Sequence, residues 1–399
     1  MKIPKSVYLF FILIYGNQGL SDLASQSEYY LTRETWKLSA TTIGLIGLLS
    51  GLAWYIKPLF GLICDRLPIK GYRTKYYMIF NTCLMILCCI YVCVYGFSLI
   101  SLIIIAMLYN IALGFNDVCN DTQMVKIEQE HKLQGKIQAI QWTSLAVTGI
   151  LVSFLGAYLA SNFSEPWNYK IAHAIMMSIP ILTLIYFFKN YKEEKEVKKS
   201  GVKIDFSGLK NKEFIIGLVF ILLLKFSPSF GTGLMITMRE NLHIDKMFMG
   251  YLGMTGTVLG IVGYILYYAY FHKINLKKML YVTIALSALM NLCYLYIPNK
   301  EIIMLYNVMF GAFDGIAFLT IMSFMVQIIP KGSEGLMYAL VTGVSNFSGR
   351  LSGVFGGFIY DNWGYTMNVI LASITTLLCL FMIPKLIIKQ KDLTQVEQI

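Results

Sequence analysis

The sequence predicts an all-α membrane protein with 12 transmembrane helices in two six-helix halves. Three observations carry this reading: the apolar excess, the placement of the basic residues, and a pattern that occurs twice. Of the 399 residues, 57% are hydrophobic and only 14% are charged. The mean hydropathy is +0.62. A soluble domain is about a quarter charged, and one soluble core cannot hide this much apolar surface. Apolar runs of spanning length recur along the whole chain.

Breaks at proline, glycine and charge clusters delimit spans at 6–30, 40–64, 75–97, 99–125, 135–161 and 170–189 in the first half. The second half follows with 213–238, 246–271, 276–297, 301–329, 334–360 and 364–388. Lys2 and Lys5 precede the first run as in a signal peptide, but GNQGLSDLASQSEYY offers no cleavage site, so the run is read as a retained helix. The net charge of +11 does not mark a nucleic-acid partner. With the N-terminus inside, 24 lysines and arginines fall in inner segments, 6 in outer loops and 3 within spans. This is the positive-inside bias, and it puts both termini in the cytoplasm, with the plasma or inner membrane as the expected location. The cysteines (Cys64, Cys83, Cys88, Cys89, Cys93, Cys119, Cys293 and Cys379) all lie in or at the ends of apolar spans. They make neither a disulfide framework nor a zinc spacing, so no metal or cofactor is expected.

The repeat fixes the organisation. LYNIALGFND, Leu108–Asp117, returns as LYNVMFGAFD, Leu305–Asp314, 197 residues later. LTRETWKLSATTIGLIG (Leu31–Gly47) returns as TMRENLHIDKMFMGYLG (Thr237–Gly253) at an offset of 206. The nine-residue difference is explained by DRLPIKGYRTK (Asp65–Lys75) being long where HKINLKK (His272–Lys278) is short. The halves are therefore 1–190 and 213–399. They are joined by the charged segment 191–212, which has no apolar period and reads as a solvated tether. Two parallel six-helix halves describe the major facilitator architecture, in which substrate binds near the midplane and access alternates.

Charged residues inside spans cost ~2.5–3.5 kcal/mol each on insertion scales and usually face a bundle interior or wet cavity. Asp117 and Asp121 share one face of the fourth helix, and Asp314 lies in the tenth. Close carboxylates resist double ionisation, which suits a proton carrier. The alternative is a structural pair at Asp117 and an interfacial Asp121. Gln18, Ser21, Asp22, Ser25 and Tyr29 give the first helix a polar stripe, with Asp22 either a substrate-binding candidate or the acceptor of a hydrogen bond from a neighbouring helix. Lys225 and Arg350 sit mid-span, either neutralising the aspartates or holding an anionic substrate. Lys57 is read as a gating or snorkelling group, and Gly349, Gly353 and Gly357 as a helix-packing face.

Several stretches resemble the folate–biopterin transporter family of the major facilitator superfamily. They are YIKPLFGLICDRLPIKGYRTKYY (Tyr55–Tyr77), NDVCND (Asn116–Asp121), GKIQAIQW (Gly135–Trp142), SPS (Ser227–Ser229) and PKGSEGLMYALVTGVSN (Pro330–Asn346). The chain departs from the family where its fourth helix has Lys126, with Glu128 beyond. The resemblance implies gating roles for Asp65, Arg66, Gly71, Arg73 and Glu334, although Glu334 also suits simple helix capping. It places Gln138, Trp142 and Asn346 on cavity-competent helices, where they serve either a pterin ring or interhelical packing.

The implied function is import of folate or pterin compounds by a monomer, with protons as the driving partner and no nucleic-acid partner. Folate is a dianion, and drawing it into a negative interior costs ~2.3 kcal/mol per charge per 100 mV. Proton symport through Asp117, Asp121 or Asp314 would meet that cost. Three other readings stand beside it: a facilitator exporting or carrying another metabolite or drug, a polytopic membrane enzyme using Asp117 and Asp121, and a receptor or scaffold that binds ligand without alternating access.

Overall fold

The computed structural model describes residues 5–131, 136–191, 193, 195, 207–330 and 334–386. Among these the chain is helical, with no strand and one isolated bridge between Ile69 and Tyr72. The helices are α1 (Lys5–Leu20), α2 (Ser25–Tyr30), α3 (Ala40–Ser50), α4 (Leu52–Tyr55), α5 (Lys57–Arg66), α6 (Lys75–Tyr95), α7 (Leu99–His131) and α8 (Lys136–Asn162). They continue as α9 (Trp167–Met176), α10 (Ser178–Lys189), α11 (Lys212–Phe226), α12 (Gly231–Ile236), α13 (Lys246–Ala269), α14 (Leu276–Cys293), α15 (Lys300–Gln327) and α16 (Glu334–Leu378).

Nine helical segments among the described residues are long and apolar enough to cross a membrane. The first and second predicted spans fall outside these nine, and several spans are broken or fused. The first splits at its polar stripe, where Ser21 Oγ donates to the Gln18 carbonyl and Ser25 Oγ to the Asp22 carbonyl, both at 2.6 Å. Such local bonds compete with the helical ladder. The second is interrupted at Gly51 and Ile56, and Pro58 stands in the first turn of α5. The seventh ends at Ser227-Pro228-Ser229 before α12 resumes it. The eleventh and twelfth run together as α16 across Gly364, whose φ of 78° turns the chain.

The contacts group the chain into two compact units. The first holds residues 1–38, 49–203 and 245–254; the second holds 39–48, 204–244 and 255–399. The first unit is filled by two apolar clusters, one around Met85, Cys89 and Leu113, the other around Phe11, Met78 and Ile137. Phe220, Leu280 and Phe324 centre the main core of the second. Because lipid tails are as apolar as these side chains, close helix approach supplies much of the holding energy. In the first unit a Cβ on Gly250 would collide with Ala157. In the second, a Cβ on Gly44 would stand 2.8 Å from Val354 Cα, and one on Gly357 2.5 Å from Ala40 C. Gly349 and Gly353 differ from expectation: a Cβ on either would meet open space. Their small size is used only through the exposed backbone, as when Gly44 approaches the Gly353 carbonyl.

The repeat is visible atom by atom. Leu31–Thr35 and Thr237–Asn241 are both π-helical turns. Each is followed by a left-handed residue, Lys37 at φ 54° and His243 at φ 51°. Arg33 donates to the Leu38 carbonyl at 2.9 Å, and Arg239 donates to the Ile244 carbonyl. Trp36 N–H returns to the Leu31 carbonyl and Leu242 N–H to the Thr237 carbonyl, at 2.9 and 3.1 Å. Every partner in the second set lies 206 residues after its counterpart.

The start of the segment joining the halves is not a free tether. Glu193 accepts from the backbone N–H groups of Arg73, Thr74 and Lys75 at 3.1, 3.1 and 2.8 Å, and from Thr74 Oγ1 at 3.0 Å. It caps the N-terminus of α6, where a carboxylate satisfies orphan donors and meets the positive end of the helix. Glu193→Ala is expected to lower stability by about 1–3 kcal/mol, the range for a cap that also carries charge. A thermal unfolding midpoint unchanged from wild type would show that water replaces the cap at no cost.

Candidate functional site

Two groups of polar residues within or beside the predicted spans stand out, one in each unit. The first is built where α7 meets α4 and α5. The break at Ile56 lets Lys57 start a new helix, and its ammonium pairs with the Asp117 carboxylate, which is buried. Lys57 Nζ also lies 4.6 Å from the centroid of the Trp54 ring. That indole donates to Asn110 Oδ1 at 3.2 Å. One turn on, Asp121 accepts from Tyr15 Oη at 3.1 Å. Trp142 packs edge-on against Tyr15, centroid to centroid 6.3 Å, with half its surface exposed.

A lone ammonium or carboxylate would be costly here, and pairing is what makes both tolerable. The Asn120 and Gln141 side chains are fully buried and make no hydrogen bond among the described residues.

The second group lines a cavity of about 460 Å³ in the second unit. Asp314 faces it with Ser229, Phe230, Ser287, Asn291, Tyr294 and Phe310. The wall is fixed from behind: Ser227 Oγ donates to the Ala372 carbonyl at 2.9 Å, and Tyr365 Oη to the Tyr294 carbonyl, also at 2.9 Å. Asp314 itself has no ion pair or hydrogen bond among the described residues.

The other sequence candidates distribute as follows. Asp22 is exposed in the turn between α1 and α2, and Gln138 is exposed on α8, one turn before Trp142. Asn346 and Arg350 are exposed one turn apart on α16. Lys225 is half-buried near the end of α11, and neither it nor Arg350 neutralises an aspartate among the described residues. Asp65 pairs with Arg73 across the loop that Gly71 turns at φ 84°, while Arg66 is exposed. Glu334 opens α16, but its side chain, like that of Glu128, lies outside the described residues.

Sequence reasoning did not single out Tyr15, Trp54, Ser287, Asn291 or Tyr294. Asn110 was present in the repeated Leu-Tyr-Asn but was not assigned a role. Lys57, expected as a gating or snorkelling group, has its ammonium on the Asp117 carboxylate. A lysine and an aspartate that both sit in apolar spans of the same half were the available signal.

Broken spans, a helical repeat and buried charge define a multi-pass integral membrane protein with the major facilitator fold. The crystal structure of the nucleoside transporter NupG is similar over 97% of this chain and 99% of that one, with a TM-score of 0.74 at 12% identity. At that identity the likeness concerns the fold. The chain belongs to the BT1 family, whose profile matches residues 18–394. It is 22% identical to the folate-biopterin transporter of Synechocystis sp. over 94% of this chain and 80% of that protein. It is also 22% identical to folate transporter 1 of Plasmodium falciparum, over 90% of this chain and 73% of that one. The family resemblance read from the motifs is thereby established.

Proposed function

We propose that the protein is a secondary active transporter that imports folate or pterin compounds by proton symport with alternating access. The names of its relatives support the substrate class and the transporter reading, which displaces the membrane-enzyme alternative. The observation that carries proton coupling is the Lys57–Asp117 pair, buried in the membrane one turn from Asp121.

In this reading Asp117 and Asp121 are the proton carriers. A proton arriving on Asp117 cancels its charge and releases the Lys57 ammonium, which is then available to a substrate carboxylate. Tyr15 holds Asp121 in place and Trp54 holds the freed ammonium by its π face. Lys225 and Arg350, without acid partners among the described residues, are the further anchors for an anionic substrate, with Asp22, Gln138, Trp142 and Asn346 as polar or aromatic contacts. Asp65, Arg66, Gly71, Arg73 and Glu334 form the cytoplasmic gating set. The transporter acts as a monomer with both termini in the cytoplasm.

Proteoliposomes loaded with purified protein test this directly. Labelled folate or pterin is expected to accumulate when the outside is acidified and to equilibrate without accumulation when no gradient is imposed. Uptake of neither compound, from vesicles shown to hold folded protein, would transfer the assignment to another organic metabolite or to export. The fold would be unaffected.

A further inference from the structure

The acids of the two repeats are not equivalent. At the offset of 197 Asp117 corresponds to Asp314, and at the offset of 206 Lys57 corresponds to Gly263. The second half has therefore no lysine where the first holds its counter-charge. In its place Gly263 packs directly against the Ala312 carbonyl, and a Cβ there would overlap it. Asp314 is left facing a cavity rather than a cation.

Ser227, Ser229 and Thr376 in the cavity wall are hydrogen-bonded within the protein, but four other polar groups there share one property. The Ser287 hydroxyl, the Asn291 amide and the Tyr294 hydroxyl make no hydrogen bond among the described residues, and neither does the Asp314 carboxylate. Ser287 and Asn291 are one turn apart on α14 and line the same cavity as Asp314 on α15. Three aromatic rings, Phe230, Tyr294 and Phe310, also line it. Tyr294 lies edge-on to Phe310 at 6.2 Å and tilted to Phe230 at 5.5 Å, and Tyr306 stacks on Phe310 at 5.6 Å and 12°. Hydrogen-bonding capacity left open beside aromatic faces is the composition of a site for a flat polar ring. A carboxylate offers two acceptors side by side and is matched by two adjacent N–H donors.

We infer that this cavity is a binding subsite for a planar heteroaromatic ring with a donor–donor edge. Asp314 accepts from that edge, while Asn291, Ser287 and Tyr294 serve the ring's carbonyl and ring nitrogens. The inference rests on the folate or pterin reading and sharpens it. The 2-amino-4-oxopyrimidine part of a pterin presents an exocyclic amine beside a ring N–H, and this is the required edge. Asp314 is in this view a specificity-determining residue and not a proton carrier.

The test is competition binding to the full-length protein in lipid nanodiscs, using labelled pterin against unlabelled pterin and lumazine. Lumazine has the same size but carries an oxo group where pterin has its amine. Wild type is expected to prefer pterin by ~10–100-fold, the range for losing charge-assisted hydrogen bonds. Asp314→Asn, eluting as a monodisperse peak, is expected to erase that preference. Asn291→Leu leaves the charge intact and is expected to weaken pterin about tenfold by removing one hydrogen-bonding partner.

Pterin preference retained in Asp314→Asn, or equal binding of pterin and lumazine by wild type, overturns the inference and leaves the substrate reading standing. Should Asp314→Asn fail to fold, unchanged pterin affinity in Asn291→Leu overturns it equally. Binding of neither compound nor folate by wild type removes the substrate reading and this inference together.

Discussion

Lys57→Met is expected to destabilise the folded protein by about 3–5 kcal/mol, the cost of leaving a buried carboxylate without its partner. Asp117 is 5% exposed and has no second cation in contact among the described residues to substitute for the lost ammonium. Asp117→Asn removes the carboxylate from the Lys57 ammonium, and a smaller loss is expected. The double variant Lys57→Met/Asp117→Asn removes both charges and is expected to recover most of the stability, since a neutral pair of similar volume is often as stable as the ion pair. Recovery of fold and recovery of function then separate. Thermal unfolding of the double variant should approach wild type while gradient-driven accumulation stays absent. A double variant that accumulates substrate under a proton gradient as wild type does would refute the assignment of coupling to this pair.

The second large effect is expected at a glycine. In α13 a Cβ on Gly263 would overlap the Ala312 carbonyl of α15 and stand 2.9 Å from Gly315 Cα. The obstacle is backbone on a neighbouring helix, which cannot rotate away. Gly263→Leu is therefore expected to separate α13 from α15 and leave no monodisperse protein after detergent extraction. Gly260, one turn earlier on the same helix, provides the contrast: a Cβ there meets nothing within 4 Å. Gly260→Ala is expected to be tolerated, with a gain of up to ~1 kcal/mol from helix propensity. Equal yields of the two variants would mean that the crossing is looser than the backbone path shows.

Much of this arrangement was legible in the chain because bilayers punish ambiguity. A buried backbone must be helical, a buried charge must have a reason, and inner loops are basic. Those constraints made the twelve spans, the duplication and Asp117, Asp121 and Asp314 readable from residue types alone. The partners were not readable. Nothing in the sequence places Lys57 against Asp117 rather than at a membrane surface, because that depends on the break at Ile56 and on how α5 is rotated. Ser287, Asn291 and Tyr294 look like ordinary residues of an apolar helix until α14 is seen beside Asp314. Glu193 sits in a run of lysines and glutamates that reads as solvent-facing charge, and only the fold brings it to the amides of α6.

The paired corners at 31–38 and 237–244 bear on how shape is inherited. Six of the eight positions have changed identity between the copies, Trp36 to Leu242 and Lys37 to His243 among them, and only the Arg-Glu pair is unaltered. The path of the backbone has survived that turnover almost unmodified, down to a left-handed residue that is neither glycine nor asparagine. What has been handed down is a trajectory, and one guanidinium clasping a carbonyl five residues ahead is enough to write it. Ancestry in such a protein is better recorded in where the chain bends than in the letters that spell the bend.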